Sequence, residues 1–253
     1  MKINEVYKVK AWYYYLGFIL LGFFMNYSFS LTLLILLLAG SFMLAYAYSF
    51  NDFWDKRKKA YFVLPLVLSI LIIPFLNQTQ ILLALIFLFI VTIYSAKPIR
   101  LKAKPFLSSF CNGIGFSVLF LLGYSVKSLD FRGFIFFLLF FCFNMVAQFI
   151  HEIVDLKEDR KNRIITTAVF LGEDKIKTTC YTFLLIAFLL SFYLFYLEFV
   201  GFIFVLATLF FVLFFTYKIH KKKIDRRLRK EYKLFGLIVG VIYFILLFLS
   251  RIG

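Results

Sequence analysis

The sequence has 253 residues, of which 63% are hydrophobic and 22% aromatic, and it carries a formal net charge of +16 at pH 7. Soluble domains are about half apolar, so this chain has too little polar surface to cover its apolar residues in water. The composition excludes an ordinary soluble globular protein and predicts a chain whose apolar surface is solvated by lipid.

Nine apolar segments follow one another along the chain and are candidates for membrane spans. Spanning helices need about 20 mostly apolar residues. The segments are 11–28, 31–50, 60–76, 80–95, 106–126, 133–150, 176–197, 199–217 and 232–250. Lipid offers no hydrogen-bond partners to the backbone, so a spanning segment must be a helix or part of a closed β-barrel. Continuous apolar runs such as LTLLILLLAG lack the alternation of apolar and polar residues in barrel strands, which leaves the helix. We therefore predict an all-α, polytopic membrane bundle of about nine helices, formed as a single domain over residues 1–253.

The basic residues are concentrated in alternate connections between these segments. If the N-terminus is cytoplasmic, 26 of the 29 Lys and Arg residues lie on the cytoplasmic side, and Lys127, Arg132 and Arg251 lie outside. Positively charged connections normally stay in the cytoplasm. The distribution predicts a multi-pass protein of the cell membrane with a cytoplasmic N-terminus and an external C-terminus. It also accounts for the positive charge without nucleic acid as a partner.

The first acidic motif, NDFWD, directly follows the second apolar segment. Asn51 and Asp52 begin it, Asp55 ends it, and the basic run Lys56–Lys59 comes next. On a helix, Asp52 and Asp55 lie one turn apart on the same face. Charges at the end of an apolar span are common, but two acids on one face indicate a site at the cytoplasmic mouth of the bundle.

The second acidic motif lies at the end of the sixth segment and extends back into it. Its polar residues follow spacings of 4, 4, 3 and 4 and are Asn144, Gln148, Glu152, Asp155 and Asp159. On a helix these spacings form one continuous stripe. Polar side chains at membrane depth are costly and normally face the interior of the bundle, where they mark a functional path. We expect this stripe to run from inside the membrane to its cytoplasmic face.

The chemistry of these motifs indicates a magnesium–diphosphate site. Carboxylates one turn apart on a helix are about 5–6 Å apart and repel each other unless a cation lies between them. Mg²⁺ prefers carboxylate oxygens together with substrate phosphate oxygens. Two such helices facing each other would clamp a diphosphate, and an apolar cavity would hold its hydrocarbon tail. The basic residues expected to neutralise the remaining phosphate charge are Arg100, Lys102, Arg160 and Lys161.

The motifs resemble those of the UbiA superfamily of intramembrane prenyltransferases, which form a bundle of nine helices. That family carries N-D-x-x-D-x-x-x-D after its second helix and D-x-x-D-x-x-x-D-R-K after its sixth. In the first motif the chain departs from the pattern, since Lys59 stands in the last acidic position. A third stretch, Tyr94–Lys102, resembles the Tyr-Ser-x-x-Pro segment of the family. The matches in the second motif and after it are Glu152, Asp155, Asp159, Arg160, Lys161, Thr166, Leu171 and Gly172.

The resemblance implies an Mg²⁺-dependent prenyltransferase that transfers a prenyl group from a prenyl diphosphate to an acceptor and releases diphosphate. The implied Mg²⁺–diphosphate ligands are Asn51, Asp55, Asp155 and Asp159. The implied auxiliary acids are Asp52 and Glu152. The residues implied to lie near the diphosphate or the developing carbocation are Tyr94, Arg100 and Lys102. Of these, the residues expected to be catalytic are Asp55, Tyr94, Asp155 and Asp159. The residues expected to bind the diphosphate are Asn51, Asp52, Arg100, Lys102, Asn144, Gln148, Glu152, Arg160 and Lys161.

The sequence leaves the acceptor and two alternative functions open. The family uses aromatic quinone precursors and lipid-like acceptors, and we expect a membrane-associated one. A transporter would also place acids in a membrane bundle as a cation site, although transporters tend to bind near the midplane and show internal repeats. A non-catalytic scaffold of the same fold is favoured only by Lys59. A phosphatidyltransferase of the CDP-alcohol type is disfavoured because its long signature is absent from the sequence.

Overall fold

The computed structural model describes residues 3–27, 29–56, 59–162, 164–221 and 224–249, and this part of the chain is helical with no strand. Three short 3-10 helices are Tyr13–Tyr15, Ile73–Phe75 and Leu101–Ala103. The α-helices are α1 Ile3–Tyr7, α2 Val9–Trp12, α3 Leu16–Asn26, α4 Leu31–Lys56, α5 Val63–Ile72, α6 Gln78–Ser95, α7 Leu107–Tyr124, α8 Phe131–Lys161, α9 Thr167–Leu171, α10 Glu173–Tyr196, α11 Phe202–Lys221 and α12 Arg226–Leu249. The prediction of an all-α protein is confirmed.

Each predicted apolar segment contains a helix, and six helices in the described residues are long and apolar enough to cross a membrane. These six are α4, α6, α7, α8, α10 and α11. The third segment holds a shorter apolar helix, Val63–Phe75. The count of nine spans and the orientation of the termini therefore stay predictions, whereas a membrane-embedded class agrees with the structure.

The two helices that carry the acidic motifs continue past the apolar segments. Helix α4 runs to Lys56, whereas its apolar segment ends at residue 50. Helix α8 runs to Lys161, whereas its apolar segment ends at residue 150. The added stretch of α8, HEIVDLKEDRK, contains no Gly or Pro and is rich in good helix formers. Each motif therefore lies on a helix that began within the apolar part of the chain.

The contacts of the chain divide it into two compact units. The first unit comprises Met1–Leu101 and Val118–Gly133, so it includes the last turns of α7. Within it, α4 packs against α3, α5 and α6. A Cβ atom on Gly22 would collide with the carbonyl oxygen of Phe120, and one on Gly123 would collide with that of Ile19. The backbones of α3 and the end of α7 therefore touch at a contact built from small residues, as in many membrane bundles.

In the first unit, amide side chains form hydrogen bonds with backbone groups at the start of α6 and at the end of α7. Asn77 and Gln80 form a capping box at the start of α6, where each side chain accepts a hydrogen bond from the other residue's backbone N–H. The Asn77 side chain also donates to the carbonyl of Ser125 at 2.8 Å. Asn26 donates to the carbonyl of Tyr124 at 3.2 Å. The carbonyls that remain without a helical partner at the end of α7 are thus satisfied by amide side chains.

The second unit comprises Lys102–Ser117 and Phe134–Gly253. Its buried core is formed by α8, α10, α11 and α12, with aromatic rings at the centre. The ring of Phe211 lies 5.1 Å from that of Tyr232, and the ring of Phe215 lies 4.7 Å from it. The Tyr232 hydroxyl donates to the carbonyl of Phe143 at 3.0 Å, which satisfies its polar end inside the core. The aromatic residues thus fix α8, the helix of the second acidic motif, against α11 and α12.

Candidate functional site

Asn51 begins the first acidic motif near the end of α4. Its side-chain oxygen accepts a hydrogen bond from the Ser95 hydroxyl at 2.9 Å. Ser95 is the last residue of α6 and is buried. This contact holds the Asn51 side chain against the end of α6. It also ties the motif to the end of α6, on which Tyr94 lies half-buried.

Asp52 is buried, with 2% of its surface exposed, and forms an ion pair with Lys8. The Lys8 amine donates to the carboxylate at 2.5 Å. Lys8 lies between α1 and α2 with φ near +52°, in the left-handed region. The short α1 and α2 both pack against α4. A buried carboxylate is costly unless it is paired, so the N-terminal segment supplies the charge that Asp52 requires.

Asp55 is exposed at the end of α4 and is paired with Arg100. The guanidinium of Arg100 donates to the carboxylate at 3.3 Å. Arg100 follows α6 and adopts a positive φ of 40°. The structure therefore brings a predicted diphosphate-binding residue to a predicted metal ligand within the first unit. Because the pair is partly exposed, the arginine can exchange the carboxylate for a phosphate oxygen at low cost.

Glu152 is the most enclosed acid of the second motif, with 3% of its surface exposed. Its Oε1 atom accepts hydrogen bonds from the hydroxyls of Ser108 at 2.9 Å and Ser109 at 2.7 Å. The same atom accepts one from the Gln148 amide at 3.1 Å. Its Oε2 atom accepts the backbone N–H of Ala168 at 3.1 Å. The carboxylate thus connects α8 to the starts of α7 and α9.

Asp155 and Asp159 lie one turn apart on α8, beyond Glu152. His151 Nδ1 is 2.9 Å from Asp155 Oδ2. Asp159 Oδ2 accepts a hydrogen bond from the Thr166 hydroxyl at 3.4 Å. Both carboxylates are half-buried. Two carboxylates with this separation repel each other, and a divalent cation relieves that repulsion.

The rest of the predicted stripe runs back along the same helix. Asn144 is buried and donates to the Ser117 hydroxyl at 3.1 Å, and Gln148 donates to Glu152. The five residues of the predicted stripe therefore lie on one continuous helix, as expected. Arg160 and Lys161 are exposed at the end of α8, and Lys102 is half-buried in the 3-10 helix after Arg100.

The donor set of each motif fits Mg²⁺ when the ion also binds other oxygens. Asn51, Asp55, Asp155 and Asp159 offer amide and carboxylate oxygens, which are the hard ligands that Mg²⁺ prefers. Within the described residues, no three His, Cys, Asp or Glu side chains converge on a preformed metal site. Mg²⁺ commonly takes one or two protein carboxylates and completes its shell with water and substrate phosphate oxygens.

Several residues around the motifs were not predicted. Lys8 pairs with Asp52 across 44 positions of sequence, and Ser109 bonds Glu152 across 43. No local pattern signals contacts at such separations. The contact of His151 with Asp155 was detectable, because the two residues have the i, i+4 spacing of helical neighbours.

Solved structures with the same fold come from an archaeon. A UbiA homologue from Archaeoglobus fulgidus bound to GPP and Mg²⁺ has 20% sequence identity and a TM-score of 0.81, with 97% of each chain covered. The same homologue bound to DMAPP and Mg²⁺ has 20% identity and a TM-score of 0.82, with 98% of each chain covered. At this identity the likeness establishes the fold, with both chains covered almost in full.

A further similar structure concerns digeranylgeranylglyceryl phosphate synthase in membranes, with 18% identity, a TM-score of 0.77 and 96% of each chain covered. A search of curated protein sequences finds no match for the chain. The family model described as the UbiA prenyltransferase family matches residues 56–248. The match starts directly after Asp55 and includes the whole second acidic motif. Because it covers well over half of the sequence, the chain belongs to the UbiA prenyltransferase family.

Proposed function

We propose that this protein transfers a prenyl group from a prenyl diphosphate to a membrane-associated acceptor, with Mg²⁺ as cofactor and diphosphate as the leaving product. The observation that carries the proposal is the pair Asp155 and Asp159 on one turn of α8, in a chain of this family. The proposal is supported by the structural relatives, which bind GPP or DMAPP together with Mg²⁺.

By the resemblance to the family, the residues that would hold Mg²⁺–diphosphate are Asn51 and Asp55 of the first motif and Asp155 and Asp159 of the second. Bound Mg²⁺ would neutralise the charge that develops on the leaving diphosphate. Arg100, which already contacts Asp55, would donate to a phosphate oxygen as that charge develops.

The remaining predicted residues complete the proposed chemistry. Lys102, Arg160 and Lys161 would contribute further positive charge toward the diphosphate. Tyr94, half-buried in the last turn of α6, would lie near the allylic carbon as positive charge develops there. Apolar side chains would exclude water, so that the carbocation-like centre reacts with the acceptor and is not hydrolysed. Asn144 and Gln148 would extend the polar lining of the site along α8.

The membrane setting supports an acceptor that is itself dissolved in lipid. We propose nine spans, a cytoplasmic N-terminus and a single domain in the cell membrane, so that both acidic motifs lie at the cytoplasmic side. A prenyl diphosphate has a polar head for the acids and an apolar tail for the bundle. The acceptor class is an aromatic quinone precursor or a lipid-like alcohol, and the similar structure of digeranylgeranylglyceryl phosphate synthase supports the lipid-like choice.

The first test is thermal unfolding of the detergent-solubilised protein with geranylgeranyl diphosphate, in the presence and absence of Mg²⁺. A ligand that binds only the folded state at about 100 times its Kd stabilises it by about 2.7 kcal/mol. We expect this protection to require Mg²⁺ and to be lost in Asp55→Ala and Asp155→Ala. The matched control is Asp174→Asn, since Asp174 is an exposed acid in the first turn of α10.

The outcomes separate the prenyltransferase from its alternatives. Protection that depends on both Mg²⁺ and the diphosphate, followed by diphosphate release when acceptors are supplied, supports the proposal. Protection by Mg²⁺ alone, unchanged by the prenyl diphosphate, would favour a cation site of a transporter. An absence of protection at any prenyl chain length would favour a non-catalytic scaffold.

A further inference from the structure

Glu152 occupies a different environment from the two acids that follow it on α8. Its side chain is almost fully buried, whereas Asp155 and Asp159 are half-buried. Four donors contact its carboxylate: the hydroxyls of Ser108 and Ser109, the amide of Gln148 and the backbone N–H of Ala168. Three of these donors converge on Oε1, and the backbone N–H of Ala168 contacts Oε2. The carboxylate is thus held by protein donors inside the second unit, whereas the half-buried carboxylates of Asp155 and Asp159 are more open to a ligand.

The donors come from three separate stretches of the second unit. Ser108 and Ser109 lie in the first turn of α7, and Ala168 lies in the first turn of α9. The N–H groups at the start of a helix have no partner within the helix, so Glu152 satisfies one that would otherwise be buried and unpaired. Thr167 joins the same cluster, since its hydroxyl is 2.8 Å from that of Ser109 and accepts the N–H of Phe106 at 3.0 Å.

The cluster is connected to the proposed metal ligands through the segment between α8 and α9. Thr166 directly precedes α9 and its hydroxyl donates to Asp159. The position of Thr166 depends on the start of α9, which Glu152 holds through Ala168. Glu152 is also on the same helical stripe as Asp155, one turn earlier. A change at Glu152 would therefore move the partner of Asp159 and the local path of α8 together.

We propose that Glu152 is a positioning residue, which orients Asp155 and Asp159 for Mg²⁺–diphosphate by tying α8 to the starts of α7 and α9. The inference rests on the proposed function for the identity of the ligand. It assigns Glu152 a role different from the auxiliary diphosphate ligand expected from the sequence. It also explains why Ser108, Ser109 and Thr167 are buried polar residues, since each bonds to Glu152 or to another member of its cluster.

The length of the side chain distinguishes the two roles. The motif that this sequence resembles has Asp where Glu152 stands. A ligand role predicts that Glu152→Asp retains or improves Mg²⁺ binding, because the metal accepts either carboxylate. A positioning role predicts the opposite, because the shorter side chain cannot reach the serines of α7 and the N–H of α9 at once. Glu152→Gln keeps the length but removes the charge and one acceptor.

The first experiment measures thermal unfolding of the full chain in detergent, in buffer with EDTA and without prenyl diphosphate. We expect Glu152→Asp to lower the unfolding temperature by about 4–8 °C, because buried donors lose their acceptor. Ser109→Ala should lower it in the wild-type background and much less in Glu152→Met, which has similar length but no carboxylate oxygen, since Ser109 and Glu152 share one hydrogen bond. Ser191→Ala is the matched control, because that buried hydroxyl donates only within α10.

The second experiment measures the Mg²⁺ concentration required for half-maximal protection by geranylgeranyl diphosphate. We expect this concentration to rise about 10-fold in Glu152→Asp and several-fold in the double variant Ser108→Ala/Ser109→Ala. The serines carry no ligand oxygen of the proposed site, so their effect must act through Glu152 and the cluster around it, which includes Thr167. Ser191→Ala should leave the Mg²⁺ requirement unchanged.

Two results would overturn the inference. One is additive destabilisation by Ser109→Ala and Glu152→Met in EDTA, which would mean that the hydrogen bond is not made. The other is a raised Mg²⁺ requirement in Glu152→Gln combined with an unchanged one in both Glu152→Asp and the double serine variant, which would identify a direct ligand. If the wild-type protein shows no Mg²⁺-dependent protection, the proposed function fails, and the unfolding cycle in EDTA alone still decides whether Glu152 ties the segments.

Discussion

At the scale of single residues, the two buried acids of the motifs are compensated in different ways. Asp52 is paired with one cation, Lys8, whereas Glu152 is surrounded by neutral donors. An ion pair with a partly exposed lysine can be broken and replaced, because the lysine can return to water. A carboxylate held by four donors on three stretches of chain cannot be released without moving all of them. The first arrangement suits a changeable contact and the second a fixed one.

Lys8 therefore provides a prediction about the stability of the first unit. We expect Lys8→Met to lower the free energy of unfolding by about 1–3 kcal/mol, because it removes a positive charge that contacts the buried carboxylate of Asp52. Lys8→Arg should recover most of the loss. The measurement is thermal or denaturant unfolding of the purified protein in detergent, with Lys175→Met as the matched exposed lysine on α10.

A double variant shows whether the Lys8 effect acts through Asp52. Lys8→Met combined with Asp52→Asn should be less destabilised than the sum of the two single changes, since the two residues share one ion pair. Equal and additive effects would contradict a direct interaction and would indicate that Lys8 acts through the local packing of α1 and α2.

At the scale of elements, the contact of α3 with the end of α7 depends on glycine. A Cβ atom on Gly22 would meet backbone atoms of Phe120 and Tyr124, which cannot rotate away. On the same helix, a Cβ atom added to Gly17 would have nothing within 4 Å. The two glycines therefore form a matched pair that separates a packing effect from helix propensity.

We expect Gly22→Ala to reduce strongly the yield of folded, monodisperse protein and to lower the unfolding temperature of what remains. Gly17→Ala should be neutral or stabilising by up to about 1 kcal/mol, because alanine is the better helix former. The measurement is size-exclusion chromatography followed by thermal unfolding. Similar behaviour of the two variants would contradict the backbone contact between α3 and α7.

Helix α8 is the element on which the proposed site depends most. It carries the whole stripe from Asn144 to Asp159 on one uninterrupted helix, Phe131–Lys161. Its apolar part packs in the core of the second unit through residues such as Val146 and Phe149. The acids beyond it inherit their orientation from that packing, since a helix transmits its rotation along its length. Core packing in the second unit therefore sets the direction of the carboxylates.

At the scale of the whole molecule, the distribution of charge predicts the orientation in the membrane. If the nine predicted spans and the cytoplasmic N-terminus are correct, 26 of the 29 basic residues lie on the cytoplasmic side, and we expect the two termini on opposite sides. A reporter that fluoresces only in the cytoplasm should be active at the N-terminus, and an enzyme active only outside should be active at the C-terminus. If the fluorescent reporter is active at both termini, both termini are cytoplasmic, which would contradict the count of nine spans.

The class of the protein and the chemistry of its acids were predictable because both depend on local sequence. Apolar segments of spanning length require helix in lipid, and i, i+3 and i, i+4 spacings place Asp155 and Asp159 on one face wherever a helix forms. The stripe predicted a helix that continues past the apolar segment to Asp159, and α8 extends to Lys161, because helix formation does not stop where hydropathy falls at the first charges. The sequence alone thus determined a helical membrane protein, the stripe of acids and the family that the stripe resembles.

The partners of the acids that are distant in the sequence were decided by tertiary structure alone. Lys8 meets Asp52, Arg100 meets Asp55 and Ser109 meets Glu152 only because helix packing brings together residues more than 40 positions apart. A basic residue or serine in the sequence has many acids within reach of an unfolded chain, and no periodicity selects one of them. The physical reason is that side-chain spacing along a helix is set by the backbone, whereas contact between helices is set by the packing of all the residues on their faces.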